Sequence, residues 1–302
     1  MNKGIYDQET VLVENTGQLY DSETVLDNDY LQNNNLHNVD IKIGTKIDKY
    51  KIEDIISTYG SQSIVYLVRN ELDEKKYILK LYNENYFPQE NIVKLFKNTN
   101  CPFVIKIIDD GMYNDRYFEV TKYYKNGSLN QKKEYSIKFL NEILVPCLNE
   151  GLHYLHGNNE LNINIIHGDL KPDNIFISDN EDSVIIGDFG ISVLMNKNGI
   201  AIDDIKGTPE YSSLTTNFYK KTLKKSSYDY ASLGLILFKL NYGYSLFANM
   251  SEEEIAIKWN NGIVIPDSSN TRLDNLIRGL LKTDENERLG YDSVKKWCEF
   301  EY

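Results

Sequence analysis

A chain of 302 residues, 41% of them hydrophobic, can build one large domain or two ordinary ones around a real core. Its formal charge of −12 argues against nucleic acid as a partner. The three cysteines, Cys101, Cys147 and Cys298, show no metal or disulfide spacing, the start has no signal-peptide layout, and apolar runs such as LGLILF from Leu233 are too short for a bilayer. The expectation is a soluble, cytoplasmic protein in a reducing compartment, with no membrane partner.

Residues 1–45 form the first segment. Residues 1–40 carry eight acids against one base, Lys3, and the segment is too polar to offset its ordering entropy, so a disordered acidic arm is expected. It contains YDQETVL from Tyr6 and YDSETVL from Tyr20, identical except at Gln8 and Ser22. From Lys46 the pattern changes. YKIEDIIS, SIVYLVRN and KKYILKLY alternate as strands do, QENIVKLFKN has helical periodicity, and FVIKIIDDG and RYFEVTKYY predict two more strands. After KNGSLN the signals turn helical, with YSIKFLNEILVPCLNEGLHYLH, YDYASLGLILFKL and LDNLIRGLLK. A strand-rich part followed by a helix-rich part implies two lobes in an α+β arrangement.

Between the lobes' signals stand IIHGDLKPDNIFI, VIIGDFGIS and GTPEY, in that order. With these motifs the chain resembles the eukaryotic-like (Hanks-type) Ser/Thr protein kinases from about Lys46 to the C-terminus. The resemblance implies a bilobal protein-kinase fold over 46–302, with a β-rich N-lobe at about 46–122 and a helical C-lobe at about 125–302. It implies ATP and Mg²⁺ as cofactors and a protein as substrate. Asp169 would orient the attacking hydroxyl and Lys171 would reach the γ-phosphate. Asn174 and Asp188 would hold the metal. DLK and Thr208 are similar to Ser/Thr rather than Tyr kinases. Glu210 and Arg288 match a buried ion pair of the family, and Asp229 the residue that steadies the catalytic loop.

The N-lobe resembles the family less closely. TYGSQSIVY replaces the usual glycine-rich loop and keeps only Gly60, with Thr58 and Ser63 in place of its neighbours. Val65 would lie over the nucleotide, and Ile78 stands where Ala is usual. Lys80 would contact the α- and β-phosphates, with Glu90 as its helix partner and Glu84 as the alternative. Lys122–Tyr124 would be the hinge, Lys122 and Tyr124 contacting adenine through the backbone, with Thr121 at the back of the pocket. A pseudokinase scaffold and a small-molecule phosphotransferase of the aminoglycoside-kinase type share parts of this pattern. Lys171, Glu210 and Arg288 favour the protein kinase over the latter, and the presence of Lys80, Asp169, Asn174 and Asp188 over the former.

Two departures bear on regulation. Gly168 stands where many kinases have an arginine that reads a phosphate, and residues 191–207 contain one hydroxyl, Ser192. Activity is therefore expected without phosphate on that segment. A basic stretch, Lys220, Lys221, Lys224 and Lys225, offers a docking patch for an acidic segment. The repeat places Thr10 and Thr24 after acidic residues, where autophosphorylation would create sites for a phosphothreonine-reading partner. A forkhead-associated (FHA) domain, meeting Val13 and Asp27 at the third residue on, is the leading partner.

Overall fold

Alternating burial explains the first sheet. Along Ser63–Asn70 (β3), Lys76–Tyr82 (β4) and Arg116–Lys122 (β6), the buried pairs Tyr66/Val68, Leu79/Leu81 and Phe118/Val120 fall at every second position, the period at which side chains share a sheet face, and Tyr50–Ser57 (β2) starts the same way with Tyr50 and Ile52 before its register shifts. With Lys46–Ile47 (β1) and Ile107–Tyr113 (β5) they make a six-stranded antiparallel sheet in the order β1-β2-β3-β4-β6-β5. In register, Tyr66, Leu79 and Val120 line one buried face. The opposite face carries Val65, Lys80, Glu119 and Asp110 in one row across four strands. The sheet thus has an apolar side for its own core and a polar side for a site.

The computed structural model describes residues 41–57, 63–84, 86–132, 134–196, 198–203, 207–213 and 222–300, with residues 202, 203 and 222–224 described by backbone alone. Residues 1–40 of the expected arm, with its repeat, Gly60 and Thr58 of the nucleotide loop, and Lys220 and Lys221 lie outside these residues. The arm ends earlier than expected: Gly44 donates to the Ile52 carbonyl and Ile52 to the Thr45 carbonyl, each at 2.9 Å, so residues 44–45 are already tied to β2. Helix α1 (Glu90–Asn98) lies beside β5 and buries Ile92, Leu95 and Phe96, an i, i+3, i+4 set.

The second lobe is mostly helical. The helix expected over residues 135–156 starts at Ile137 and runs to Leu155, but it is not uniform. A short α2 (Ile137–Phe139) passes through a π turn at Leu140–Leu144 into α3 (Val145–Leu155). Pro146 is the physical reason: it has no N–H to give the preceding turn, and the wider π turn accommodates the missing bond. Helix α4 (Ser227–Tyr242) buries every residue from Tyr228 to Phe238 and is the axis of this lobe's core. Around it lie α5 (Glu252–Asn261), α6 (Thr271–Leu280) and α7 (Tyr291–Glu299). Ser251 and Glu254 close a reciprocal capping box at the start of α5. Between α3 and α4 the chain forms short strands: β7 (Ile165–Ile166), β8 (Ile175–Ile177), β9 (Val184–Ile186), β10 (Val193–Leu194), β11 (Ala201–Asp203) and β12 (Thr222–Lys224). They pair as β7–β10, β8–β9 and β11–β12, all antiparallel. Among the described residues no helix is long and apolar enough to cross a membrane.

Candidate active site

The site is built on the loop that follows β7. Leu170 is fully buried, so it anchors the loop while its neighbours Asp169 and Lys171 turn toward the cleft. Gly168 takes a left-handed φ of +79°, a conformation that suits glycine. Below the loop, Asp229 of α4 is fully buried and accepts backbone N–H bonds from His167 (2.9 Å) and Gly168 (3.1 Å), with the His156 ring nitrogen at 2.9 Å. Burial would push this carboxyl up, but His156 and the amides outweigh it and hold it below the usual carboxylate range. The His167 ring donates through Nε2 to the Gly187 carbonyl at 2.9 Å and accepts from Asp169 N at 3.2 Å. One imidazole therefore joins the Asp169 loop to the segment that presents Asp188.

Four side chains converge above this base. Lys171 Nζ lies 2.9 Å from Asp169 Oδ2 and donates to Thr208 Oγ1 at 2.8 Å. Thr208 donates to Asp169 Oδ1 through both its N–H and its hydroxyl, each at 2.8 Å. A Cβ on Gly207 would sit 2.5 Å from the Gly168 carbonyl, so this approach of Thr208 to Asp169 requires glycine at 207. Asn174, closing a 3₁₀ turn at Pro172–Asn174, donates through Nδ2 to the Asp169 carbonyl at 2.9 Å. That bond leaves Oδ1 as its remaining acceptor.

Across the cleft, Lys80 of β4 pairs with Asp188 Oδ1 at 2.6 Å. Desolvation opposes both charges, yet each partner stabilises the other: Lys80 is held above its ordinary value and Asp188 below. Asp188 adopts a left-handed φ of 58°, a conformation rare outside glycine and of the kind that clusters at functional sites. Phe189 stacks on Phe96 of α1 with centroids 3.9 Å apart and lies 4.9 Å from the His167 ring. Tyr86, between β4 and α1, donates to the Gly190 carbonyl at 2.7 Å and stacks on Tyr82.

These distances bring together the Asp169 carboxylate, two lysines, and the side-chain oxygens of Asn174 and Asp188. Comparison with known proteins identifies the arrangement. Residues 50–298 match the protein kinase domain. The chain belongs to the protein kinase family. It is 27% identical over 259 residues to serine/threonine-protein kinase GRIK1 of Arabidopsis thaliana, covering 78% of this chain and 62% of that protein. It is 28% identical over 245 residues to serine/threonine-protein kinase Sgk1 of Danio rerio, covering 77% and 54%. Protein kinase 3 of Dictyostelium discoideum is 28% identical over 264 residues, covering 81% of this chain and 28% of that protein. The chain thus spans about 60% or less of the length of these curated relatives.

Set on the kinase fold, the sequence-predicted residues divide into three groups. Lys80, Asp169, Lys171, Asn174, Asp188 and Thr208 come together, and Val65 stands opposite Lys80 in the β3–β4 register. Lys122 ends β6 with its ammonium 2.8 Å from Asp179, and the Tyr124 ring stacks on Phe176 at 5.8 Å. Gly60 lies outside the described residues.

The third group is corrected. Glu90 does not partner Lys80: it is the first residue of α1 and exposed, as is the alternative Glu84. The face that α1 buries is the apolar one, Ile92, Leu95 and Phe96. Nor do Glu210 and Arg288 form an ion pair among the described residues. Arg288 instead donates to the carbonyls of Lys282 (2.7 Å) and Thr283 (3.4 Å) and to Ser213 Oγ (3.2 Å), and burial lowers its pKa to about 10. Lys225 of the basic stretch is engaged by Glu285 at 2.5 Å.

Two residues escaped the sequence reading. Phe176 of β8 lies between Tyr124 and Gly187, whose Cβ position is 2.7 Å from its ring, and it forms an aromatic floor next to Asp188. Glu119 of β6 faces Lys80 directly across the β4–β6 pair. A lone carboxylate within the otherwise apolar FEV of β6 was the available signal.

Proposed function

We propose that the protein is a serine/threonine kinase that transfers the γ-phosphate of ATP to protein hydroxyls. The observation that carries this reading is the Asp169–Lys171–Thr208 triangle, with all three contacts between 2.8 and 2.9 Å. An acceptor hydroxyl placed beside Asp169 meets carboxylate oxygens that can orient or take its proton, while Lys171 and Thr208 fix the carboxylate in place. Thr208 borders that position and helps seat a Ser or Thr side chain. Lys171 is placed to follow the charge that moves with the phosphoryl group. Asn174 and Asp188 supply the hard oxygen donors that would hold Mg²⁺, which would offset the phosphates' charge. Val65 and Ile78 on the sheet and Phe176 on β8 supply apolar surfaces for a base. Incubation with labelled ATP and Mg²⁺ tests the proposal. Asp169→Asn should lower transfer to a peptide about 10³-fold, and Lys80→Ala about 10²-fold, with the fold retained. Equal turnover in Asp169→Asn and wild type would refute it.

The repeated heptapeptide supports a finer reading. Thr10 and Thr24 follow acidic residues in a polar segment, and six of seven positions are kept in a stretch with few large apolar residues. They are the proposed autophosphorylation sites, read by an FHA domain or another phosphothreonine-binding module. Two copies would raise avidity for a multivalent partner. Mass spectrometry after incubation with ATP, and capture by an FHA domain before and after Thr10→Ala/Thr24→Ala, test it. An unmodified arm refutes the first step.

A further inference from the structure

In a site of this kind the phosphate-contacting lysine needs a carboxylate that is not also a metal ligand. Here Lys80 is paired with Asp188, one of the two oxygen donors proposed for Mg²⁺. When Asp188 turns to a cation, Lys80 loses that partner while remaining largely enclosed. An uncompensated ammonium in such a place is costly. Helix α1 does not supply a replacement. Its only acid is Glu90, which is exposed, and the residues it buries are Ile92, Leu95 and Phe96.

The sheet itself does. Lys80 and Glu119 are directly opposed in the antiparallel β4–β6 register, so their side chains rise from the same face with Cβ atoms about 5 Å apart. Tyr82, two residues along β4 on that face, donates its hydroxyl to Glu119 Oε1 at 3.1 Å and places its ring 5.2 Å from the Lys80 ammonium. Asp110, the next carboxylate in the row, is engaged by Lys97 of α1 at 2.5 Å and by the Tyr117 hydroxyl at 3.2 Å. Glu119 is therefore the carboxylate of this face that stands next to Lys80 and is not tied to a cation of its own among the described residues. Burial pushes its carboxyl up and the Lys80 charge pulls it back.

We infer that Glu119, a strand residue, takes the role of counter-ion to Lys80 once Asp188 engages the metal, so that the lysine is positioned by β6 and not by a helix. The inference rests on the kinase reading above and concerns a positioning residue. It makes Lys80 independent of a glutamate on α1.

The test is binding of a fluorescent ADP analogue with Mg²⁺ to the full chain, alongside steady-state kinetics. Glu119→Gln, nearly isosteric, should weaken analogue binding and raise KM for ATP by fivefold or more, and raise the Mg²⁺ concentration for half-saturation, because Lys80 then competes for Asp188. Its thermal midpoint should stay near that of wild type. Adding Ile92→Glu, which places a carboxylate on the buried side of α1, should recover at least half of the lost affinity, whereas Glu90→Gln should change nothing. Unchanged affinity and Mg²⁺ dependence in Glu119→Gln would overturn the inference. So would a Glu90→Gln variant that loses as much. Should Glu119→Gln not fold, Glu119→Asp keeps the charge but withdraws it by one methylene, and unchanged affinity there overturns the inference equally. Wild type that binds no nucleotide would instead sink the kinase reading.

Discussion

At the scale of single residues, the site depends on buried polar groups whose partners are complete. Asp229 is the clearest case: fully buried, it answers two backbone N–H groups and the His156 ring. Asp229→Asn keeps the shape but replaces an acceptor pair with an amide that must present one N–H to existing donors. A loss of about 3 kcal/mol is expected, read as a lower urea midpoint at pH 7. The sign with pH follows from the depressed carboxyl. Its contribution is complete above the ordinary aspartate value of 3.8 and is lost as pH falls through the lower folded value. Stability curves of wild type and variant should therefore run parallel at neutral pH and converge only in acid below 3.8.

At the scale of elements, α1 and the segment after β9 are held together by aromatic faces. Phe96 lies on Phe189, and Phe189 borders His167, so the helix reads the position of Asp188 through one ring. Phe96→Ala should cost about 3 kcal/mol of stability and lower turnover, while Phe96→Leu, closer in volume, should recover most of both; denaturant unfolding and peptide phosphorylation measure the two. The same helix shows where sequence reading stops. Strands β2 and β3 were legible to the residue, because alternation with β-branched and aromatic side chains is a local signal. Which face of a nine-residue helix meets the sheet is decided by tertiary packing. Ile92, Leu95 and Phe96 won that contest, so Glu90 was left outside. Arg288 repeats the lesson: the sequence marked it as buried, but carbonyls and Ser213 took the place of Glu210.

At the scale of the whole molecule, direct side-chain contacts join the two lobes beside the cleft. Lys80 reaches Asp188, Tyr86 reaches Gly190, and the chain beyond them is tied by β7–β10 and β11–β12 pairing. The motifs from His167 to Thr208 made this cleft readable in the sequence, since their spacing is set by one loop and one strand pair. The β11–β12 pair was not readable, because three-residue strands far apart in the sequence carry no periodicity. Treatment of the purified protein with phosphatase should leave its rate on an added peptide within about twofold of the untreated rate, as measured by transfer of label. A loss restored by rephosphorylation of residues 191–207 would contradict this.

Ser192 is buried, with 7% of its surface exposed, and its hydroxyl donates to the His167 carbonyl at 3.0 Å. Esterifying that oxygen would remove the donor and set two negative charges against a carbonyl inside the packed layer beneath the cleft. A modification commonly associated with licensing a kinase would here act as a veto. Ser192→Ala should keep most of the activity and Ser192→Asp very little, with a lowered melting temperature only in the latter. A phosphate found on Ser192 in material taken from cells would then mark the fraction of the protein that has been withdrawn from service.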